Sequence, residues 1–227
     1  MLLTTAFVLI PVDQAWCWAM EEKSKQIVFV VDDDHSMRVA LTNLFRSMEL
    51  NVRVFSSAAE LLQSELPDIV SCLVLDVRLP GVNGIEFQGS LAKAGIHIPI
   101  VFMTGHGDIP MSVKAMKAGA IDFLPKPFRD QDMLDAVIRA LDHDRKRRDG
   151  EKAVSTIRHL FESLTRRERE VFALVISGLM NKQIAHRLEV SEITVKIHRG
   201  HVMRKMEARS LADLVRMAEV LGIKRSS

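Results

Sequence analysis

Gln26-Ile-Val-Phe-Val-Val-Asp-Asp-Asp34 is the stretch that decides the fold. Residues 27–31 form an unbroken apolar run of strand length, and four of the five are β-branched. Continuous rather than alternating hydrophobicity marks a strand buried on both faces. Three carboxylates follow at once, where the chain leaves the strand. The same arrangement recurs downstream. Cys72-Leu-Val-Leu75 runs into Asp76, residues 98–103 run into Thr104, and Ile121-Asp-Phe-Leu124 runs into Pro125 and Lys126. Pro99 is tolerated near a strand start, and Val52-Arg-Val54 reads as one more short strand. Helical stripes fill the gaps. Residues 36–48 place Met37, Leu41, Leu44, Phe45 and Met48 on one face. Residues 58–66 stop at Pro67, 85–94 stop at Gly95, 110–118 start with proline and stop at Gly119, and 129–148 end in Arg145-Lys-Arg-Arg148. Five strands alternating with five helices predict an α/β fold, a doubly wound five-stranded parallel sheet covered on both faces. A site in such a sheet lies beyond the carboxyl ends of its strands.

The polar clusters fall there. Asp32, Asp33 and Asp34 follow the first strand, Asp76 the third, Thr104 the fourth and Lys126 the fifth. A carboxylate after a strand is commonly a helix cap, and a lysine there is commonly solvated. Convergence on one edge of the sheet changes that reading. Clustered carboxylates repel, so a cation must hold them. Mg2+ prefers hard oxygen ligands and retains several waters, and Asp32, Asp33 and Asp76 suit it. A carboxylate beside such an ion can attack a phosphoryl group. The ion and Lys126 would neutralise the transferring oxygens, and the Thr104 hydroxyl can donate to them.

Composition separates the chain into two electrostatic halves. Residues 161–227 carry 13 Lys+Arg against 8 Asp+Glu, whereas the preceding 160 residues carry 18 against 21. The net charge of +2 therefore hides an acidic front and a basic back. With 48% apolar and 26% charged residues the chain is no disordered polyelectrolyte. No apolar run approaches the ~18 residues of a membrane-spanning helix, so no membrane partner is expected. Two cysteines, Cys17 and Cys72, are too few for a disulfide scaffold and fit a reducing cytoplasm. The apolar N-terminal segment has no Lys or Arg before it and Asp13 after it, which argues against a secretory signal. Met20-Glu-Glu-Lys-Ser-Lys reads as a second natural start, so the segment is expected to be an upstream extension.

The basic back half reads as helical throughout. Thr165-Arg-Arg-Glu168 is a capping-box pattern ahead of Val171, Leu174 and Val175. Gly178 ends that helix, Asn181 is expected to cap a short one, and Ser191 to cap the next after a tight turn. The helix after Ser191 sets Val195, His198, Val202 and Met206 on one stripe and Lys196, Arg199, Gly200 and Arg204 on the other. A last helix starts at Ser210. Two short helices with a three-residue turn suit a helix-turn-helix whose second member enters the major groove. Lys196 and Arg199 are then the groove contacts, and Ile197 faces a thymine methyl. Arg204 lies on the same cationic stripe, and Lys182, Thr194 and His198 suit phosphates. Spacing alone fits a small helical bundle with ordinary surface charge equally well.

Val30-Val-Asp-Asp-Asp34, Leu75-Asp-Val-Arg-Leu-Pro-Gly81, Phe102-Met-Thr-Gly-His-Gly-Asp108 and Asp122-Phe-Leu-Pro-Lys-Pro-Phe128 together resemble the receiver domain of two-component response regulators. The resemblance implies a flavodoxin-like receiver with Asp76 as phosphoacceptor and Asp32 and Asp33 as the acidic pair for Mg2+. It adds the backbone carbonyl of Arg78 as a metal ligand, Thr104 and Phe123 as switch positions, and Lys126 as the active-site lysine. Asp34 takes a supporting role. Leu164-Thr-Arg-Arg-Glu-Arg-Glu-Val171, Asn181-Lys-Gln-Ile-Ala185 and Ser191-Glu-Ile-Thr-Val-Lys-Ile-His198 resemble the LuxR-type DNA-binding domain. The combination is similar to NarL/FixJ-type regulators, closest to the FixJ-like branch. Gly200 departs from relatives that carry a basic residue there. The expected organisation is an N-terminal extension (1–25), a receiver (26–142), a linker (143–160) and a smaller all-α helix-turn-helix domain (161–227).

These readings converge on a regulator, not an enzyme. A sensor histidine kinase would phosphorylate Asp76, and the chain would form a homodimer and bind double-stranded DNA. The dimer face would be residues 110–118 with the fifth strand. Two other classes are weighed. A phosphatase or phosphotransferase would follow its aspartate with Asp-x-Asp-x-Thr, but here Asp76-Val-Arg-Leu-Pro80 stands. A phosphorylation-independent DNA binder would not need the complete set of acids, threonine and lysine.

Overall fold

The computed structural model describes residues 26–105 and 109–223. The N-terminal segment, with Cys17, and His106, Gly107 and Asp108 lie outside the described residues. The chain divides into two compact units between Arg147 and Arg148.

The first unit is built on β1 (Gln26–Val31), β2 (Asn51–Phe55), β3 (Val70–Asp76), β6 (Ile100–Thr104) and β7 (Asp122–Pro125). These form one parallel sheet in the order β2-β1-β3-β6-β7. A two-residue pair, β4 (Arg78–Leu79) and β5 (Val82–Asn83), makes a small antiparallel hairpin after β3. The unbroken apolar runs are explained by two cores, because successive residues of a strand face opposite sides. Phe29, Val31, Leu73, Leu75 and Phe102 enter one core. It is closed by α2 (Ala58–Gln63), α3 (Gly84–Lys93) and α4 (Ile109–Lys117), through Leu61, Phe87, Leu91 and Ala115. Val28, Val30, Cys72, Val74, Val101 and Met103 enter the other core. It is closed by α1 (His35–Ser47) and α5 (Asp130–Glu162), through Leu41, Phe45, Met133 and Val137. Burial, reinforced by the Asp144 carboxylate, pushes the Cys72 thiol up, so it remains a neutral core group.

α5 differs from expectation. Residues 143–160, expected as a helix end and linker, are helical throughout. The apolar stripe stops at Leu141, but charged pairs three residues apart carry the helix on. Arg145 lies 2.6 Å from Asp142, and Arg147 lies 2.6 Å from Asp144. Arg145–Arg148, expected as a solvated helix end, is partly engaged: Arg145 also donates to the Gln26 side chain at 3.2 Å. Asp144 is fully buried and accepts the Ser71 amide at the start of β3 at 2.9 Å.

The second unit packs the end of α5, α6 (Arg166–Ile176), α7 (Asn181–Leu188), α8 (Glu192–Lys205) and α9 (Leu211–Val220) round one core of Val171, Phe172, Ile184, Val195, Val202, Met206 and Leu214. Thr165, Ser191 and Ser210 cap α6, α8 and α9 with their side-chain oxygens, as expected. α7 is capped differently. Met180, not Asn181, is its cap residue, and its amide is satisfied by the Gln183 side chain at 2.8 Å. Asn181 is the first helical residue. Its side-chain Oδ1 accepts from Arg199 at 3.1 Å.

Candidate functional site

The strand ends bring the acidic residues and the lysine together. Asp32, Asp33 and Asp76 each offer a carboxylate oxygen, and these atoms lie within 4.8 Å of one another. Asp32 and Asp76 are buried, whereas Asp33 is exposed. Adjacency of β1 and β3 in the sheet explains why residues so distant in sequence meet. Lys126, just past β7, extends its ammonium to Asp32 Oδ2 at 2.7 Å and Asp76 Oδ2 at 2.6 Å. Its backbone N–H donates a hydrogen bond to the Thr104 carbonyl at 2.7 Å.

Local hydrogen bonds hold the carboxylates. Asp32 Oδ1 accepts the Asp34 amide at 2.8 Å, and Asp76 Oδ1 accepts the Arg78 amide at 2.8 Å. Asp34 caps α1 by accepting the Ser36 amide, which gives the third acid its supporting role. Arg38 donates to the Asp32 carbonyl at 2.6 Å. Burial pushes the Asp32 carboxyl above its ordinary value, more strongly than the Lys126 and Asp34 bonds pull it down. Burial pulls Lys126 down, but its bonds to Asp32 and Asp76 outweigh this and leave it raised. One ammonium against three carboxylates leaves two negative charges in excess. A hard dication closes that balance, and an all-oxygen donor set with one open, exposed member fits it.

Thr104 is buried at the end of β6. Phe123 on β7 is half-buried, pairs in register with Phe102, and packs against its ring in a tilted arrangement, centroids 6.4 Å apart. The hairpin puts α3 against the acid site, and Gly84 is the point of closest approach. A Cβ there would lie 2.8 Å from the Asp76 carbonyl oxygen and 3.0 Å from the Val77 Cα. Neither Arg38 nor Gly84 is a sequence candidate. The signal for Gly84 was available, in a glycine placed directly after a capping asparagine and eight residues past Asp76.

In the second unit α7 and α8 meet through a turn in which Glu189 takes a left-handed conformation, φ 53°. Val195 and Val202 turn α8 into the core. Lys196, Ile197 and Arg204 are exposed, with Lys182 exposed on the first turn of α7. Thr194 is half-buried, its hydroxyl 2.8 Å from Ser191 Oγ. Arg199 is half-buried in its bond to Asn181. His198 turns toward the packed side, its Nδ1 buried without a hydrogen-bond partner among the described residues and its ring edge-on to His201 at 6.4 Å. Ile193, absent from the sequence candidates, is 74% exposed. Its spacing of four from Ile197 was the available signal.

Comparison with known proteins assigns a family to each unit. Residues 28–138 match the response regulator receiver domain family, and residues 162–218 match the bacterial regulatory proteins of the luxR family. Nodulation protein W of Bradyrhizobium diazoefficiens is 63% identical over 203 residues, 89% of each chain. Transcriptional regulatory protein FixJ of Azorhizobium caulinodans is 42% identical, over 86% of this chain and 93% of that one. The solved structure of the response regulator StyR superposes with a TM-score of 0.78 at 51% identity, over 86% of this chain and 98% of that one. Among the described residues no helix is long and apolar enough to cross a membrane. With a strand-end acid cluster in one unit and an exposed cationic helix in the other, the chain belongs to the two-component response regulators of the NarL/FixJ type, transcriptional regulators that join a receiver to a LuxR-type DNA-binding domain.

Proposed function

We propose that this chain takes a phosphoryl group onto Asp76 from a partner sensor histidine kinase, with Mg2+ as the cation, and then dimerises and binds promoter DNA. It works in the cytoplasm as a signal-operated regulator and not as an enzyme with a small-molecule substrate. The observation that carries the reading is the meeting of Asp32, Asp33, Asp76 and Lys126 at one strand-end site.

Asp32, Asp33 and Asp76, with the backbone carbonyl of Arg78, would hold Mg2+, which supplies charge neutralisation to the phosphoryl oxygens. An Asp76 carboxylate oxygen attacks phosphorus, the O–P bond forms as the P–N bond to the donor imidazole breaks, and the imidazole leaves as the neutral group. Lys126 transfers its hydrogen bond from Asp76 to a phosphoryl oxygen. The Thr104 hydroxyl donates to another, and Phe123 shifts its ring in response. The face affected is α4 with β7, where Val113 and Met116 are nearly half exposed. Burying that pair against a second copy suits a dimer. A dimer raises the effective concentration of the second DNA-binding unit at a two-half-site operator. On each unit Lys196, Ile197 and Arg199 serve the groove, with Arg199 exchanging Asn181 for DNA. Lys182, Thr194, His198 and Arg204 serve the backbone.

The test is Asp76→Asn with acetyl phosphate as donor. Sedimentation should show wild-type chain moving from monomer to dimer and the variant unmoved. DNA affinity at fixed salt should rise on phosphorylation for the wild type alone. A variant that still dimerises and still gains affinity would end this mechanism.

A further inference from the structure

The outward face of α8 carries more than cations. Ile193 is 74% exposed and Ile197 is 53% exposed. Spaced four apart on a helix, they form one continuous apolar strip. Lys196 and Arg204 flank it, so the strip lies inside a cationic surface, which makes an apolar protein partner a poor match. Gly200 lies on the same face, three residues past Ile197 and four past Lys196. It is exposed in the middle of the helix. A Cβ built there meets nothing within 4 Å, and its φ is not positive. No neighbour and no backbone conformation requires glycine at this position, although glycine weakens a helix interior relative to alanine. Gly89 and Gly150 are open in the same sense. Gly200 is set apart by its register with two exposed isoleucines and two exposed cations.

The combination has a physical reading. A side chain at position 200 would stand between the helix backbone and whatever α8 lies against. Its absence lets that surface come close to the helix axis. Close approach serves short, directionless contacts more than long flexible cations, which reach across a gap. The major groove offers one apolar feature at base level, the C5-methyl group of thymine.

We propose that α8 reads thymine methyl groups by close approach, with Ile193 and Ile197 as the contacting side chains and Gly200 as the position that admits the DNA. The proposal rests on α8 being the groove helix. It names what that helix recognises: half-sites with thymines at two nearby positions, discriminated by shape and methyl contact in addition to hydrogen bonds. Ile193 and Gly200 thereby become specificity determinants, and the open space at 200 becomes part of the recognition.

The experiment uses the full chain, treated with acetyl phosphate, and random-sequence duplex DNA from which a bound site is selected. Each thymine of that site is then replaced singly by deoxyuridine, which removes the methyl and nothing else. Two or more positions per half-site should each weaken binding about fourfold, the value of one buried methyl group. Ile193→Ala should abolish the loss at one of them. Gly200→Ala should raise the melting temperature of the helical unit by about 3–6 °C and weaken binding to the selected site by tenfold or more. Selected sites that tolerate deoxyuridine everywhere would overturn the proposal, as would a Gly200→Ala chain that is more stable and binds equally well. Failure of the underlying reading looks different. Lys196→Ala and Arg204→Ala would then leave affinity unchanged, or no sequence would be enriched at all.

Discussion

Replacing Gly84 by alanine puts a methyl group 2.8 Å from the Asp76 carbonyl oxygen, 3.0 Å from the Val77 Cα and 3.3 Å from the Phe102 ring. Two of these neighbours are backbone, so neither can rotate away. The helix cannot simply retreat, because the Gly84 amide donates to the Val77 carbonyl at 2.9 Å. Overpacking of this kind costs about 1–3 kcal/mol. Stretching the Gly84–Val77 bond adds about 1 kcal/mol, and the helix propensity of alanine returns less than about 1 kcal/mol at a first-turn position. The net expectation is a loss of about 1–3 kcal/mol from the receiver, which moves its urea midpoint down by about 1 M. Gly89 supplies the control. It lies on the same helix, nothing stands within 4 Å of its Cβ direction, and its φ is not positive. Gly89→Ala should therefore stabilise by about 0.5–1 kcal/mol. The assay is urea unfolding of both variants, followed by circular dichroism, with Mg2+ titration by calorimetry on the folded chains. Gly84→Ala should also bind the ion more weakly, since the displaced atom belongs to Asp76. Equal midpoints for the two variants would refute the claim that close approach, and not helix propensity, selects glycine at 84.

Lys126→Met removes the one side-chain cation paired, among the described residues, with the fully buried Asp32 carboxylate, so in the presence of chelator the receiver should lose about 3–5 kcal/mol. Added Mg2+ should restore more stability to this variant than to the wild type; melting curves with and without the ion decide it. Asp144→Ala strips the Ser71 amide and Arg147 of a buried acceptor and should cost about 2–4 kcal/mol in urea unfolding, whereas a value under about 0.5 kcal/mol would show the contact to be incidental. Burial pushes the Glu168 carboxyl up, but hydrogen bonds from Lys205 and Thr165 outweigh it and hold it at about 2. A carboxyl lowered in the folded state contributes stability that is complete above about pH 4.5 and is lost as the pH falls toward 2. Glu168→Gln should flatten that loss in the helical unit, as read from melting temperatures across the acid range.

The sheet was legible because a strand buried on both faces writes itself as a solid apolar run. β1, β3 and β6 each do so, and each apolar run leads directly into the residue that joins the site. The acid site was legible for the same reason, since topology places every strand end on one edge. α5 was legible as far as Arg148 and not beyond. Its course past Leu141 leans on pairs of charges and on one buried carboxylate, Asp144, whose partner Ser71 lies on another element. Composition shows the charges but not the partner. Local helix starts were legible where a hydroxyl or carboxylate caps its own helix, as at Thr165 and Ser191. They failed at Asn181, whose side chain is taken by Arg199 of the following helix. Ile193 escaped notice because, by itself, an exposed isoleucine is ordinary; exposure becomes informative only with its register to Ile197 and Gly200.

The contrast between the two units also governs how fast each one forms. In the helical unit α6 and α8 carry their own side-chain start signals, and α6, α7 and α8 pack on near neighbours in the chain. In the receiver Val30 must find Val74 before β1 and β3 pair, and Val101 must then find Val74. Contacts between distant residues slow folding, because loop closure precedes any gain. The DNA-binding unit, although it leaves the ribosome after the receiver, needs no long crossover and folds within a shorter time of its own completion. During synthesis the open edges of β1 and β3 wait for partners still to be made, and it is the receiver that carries the aggregation risk.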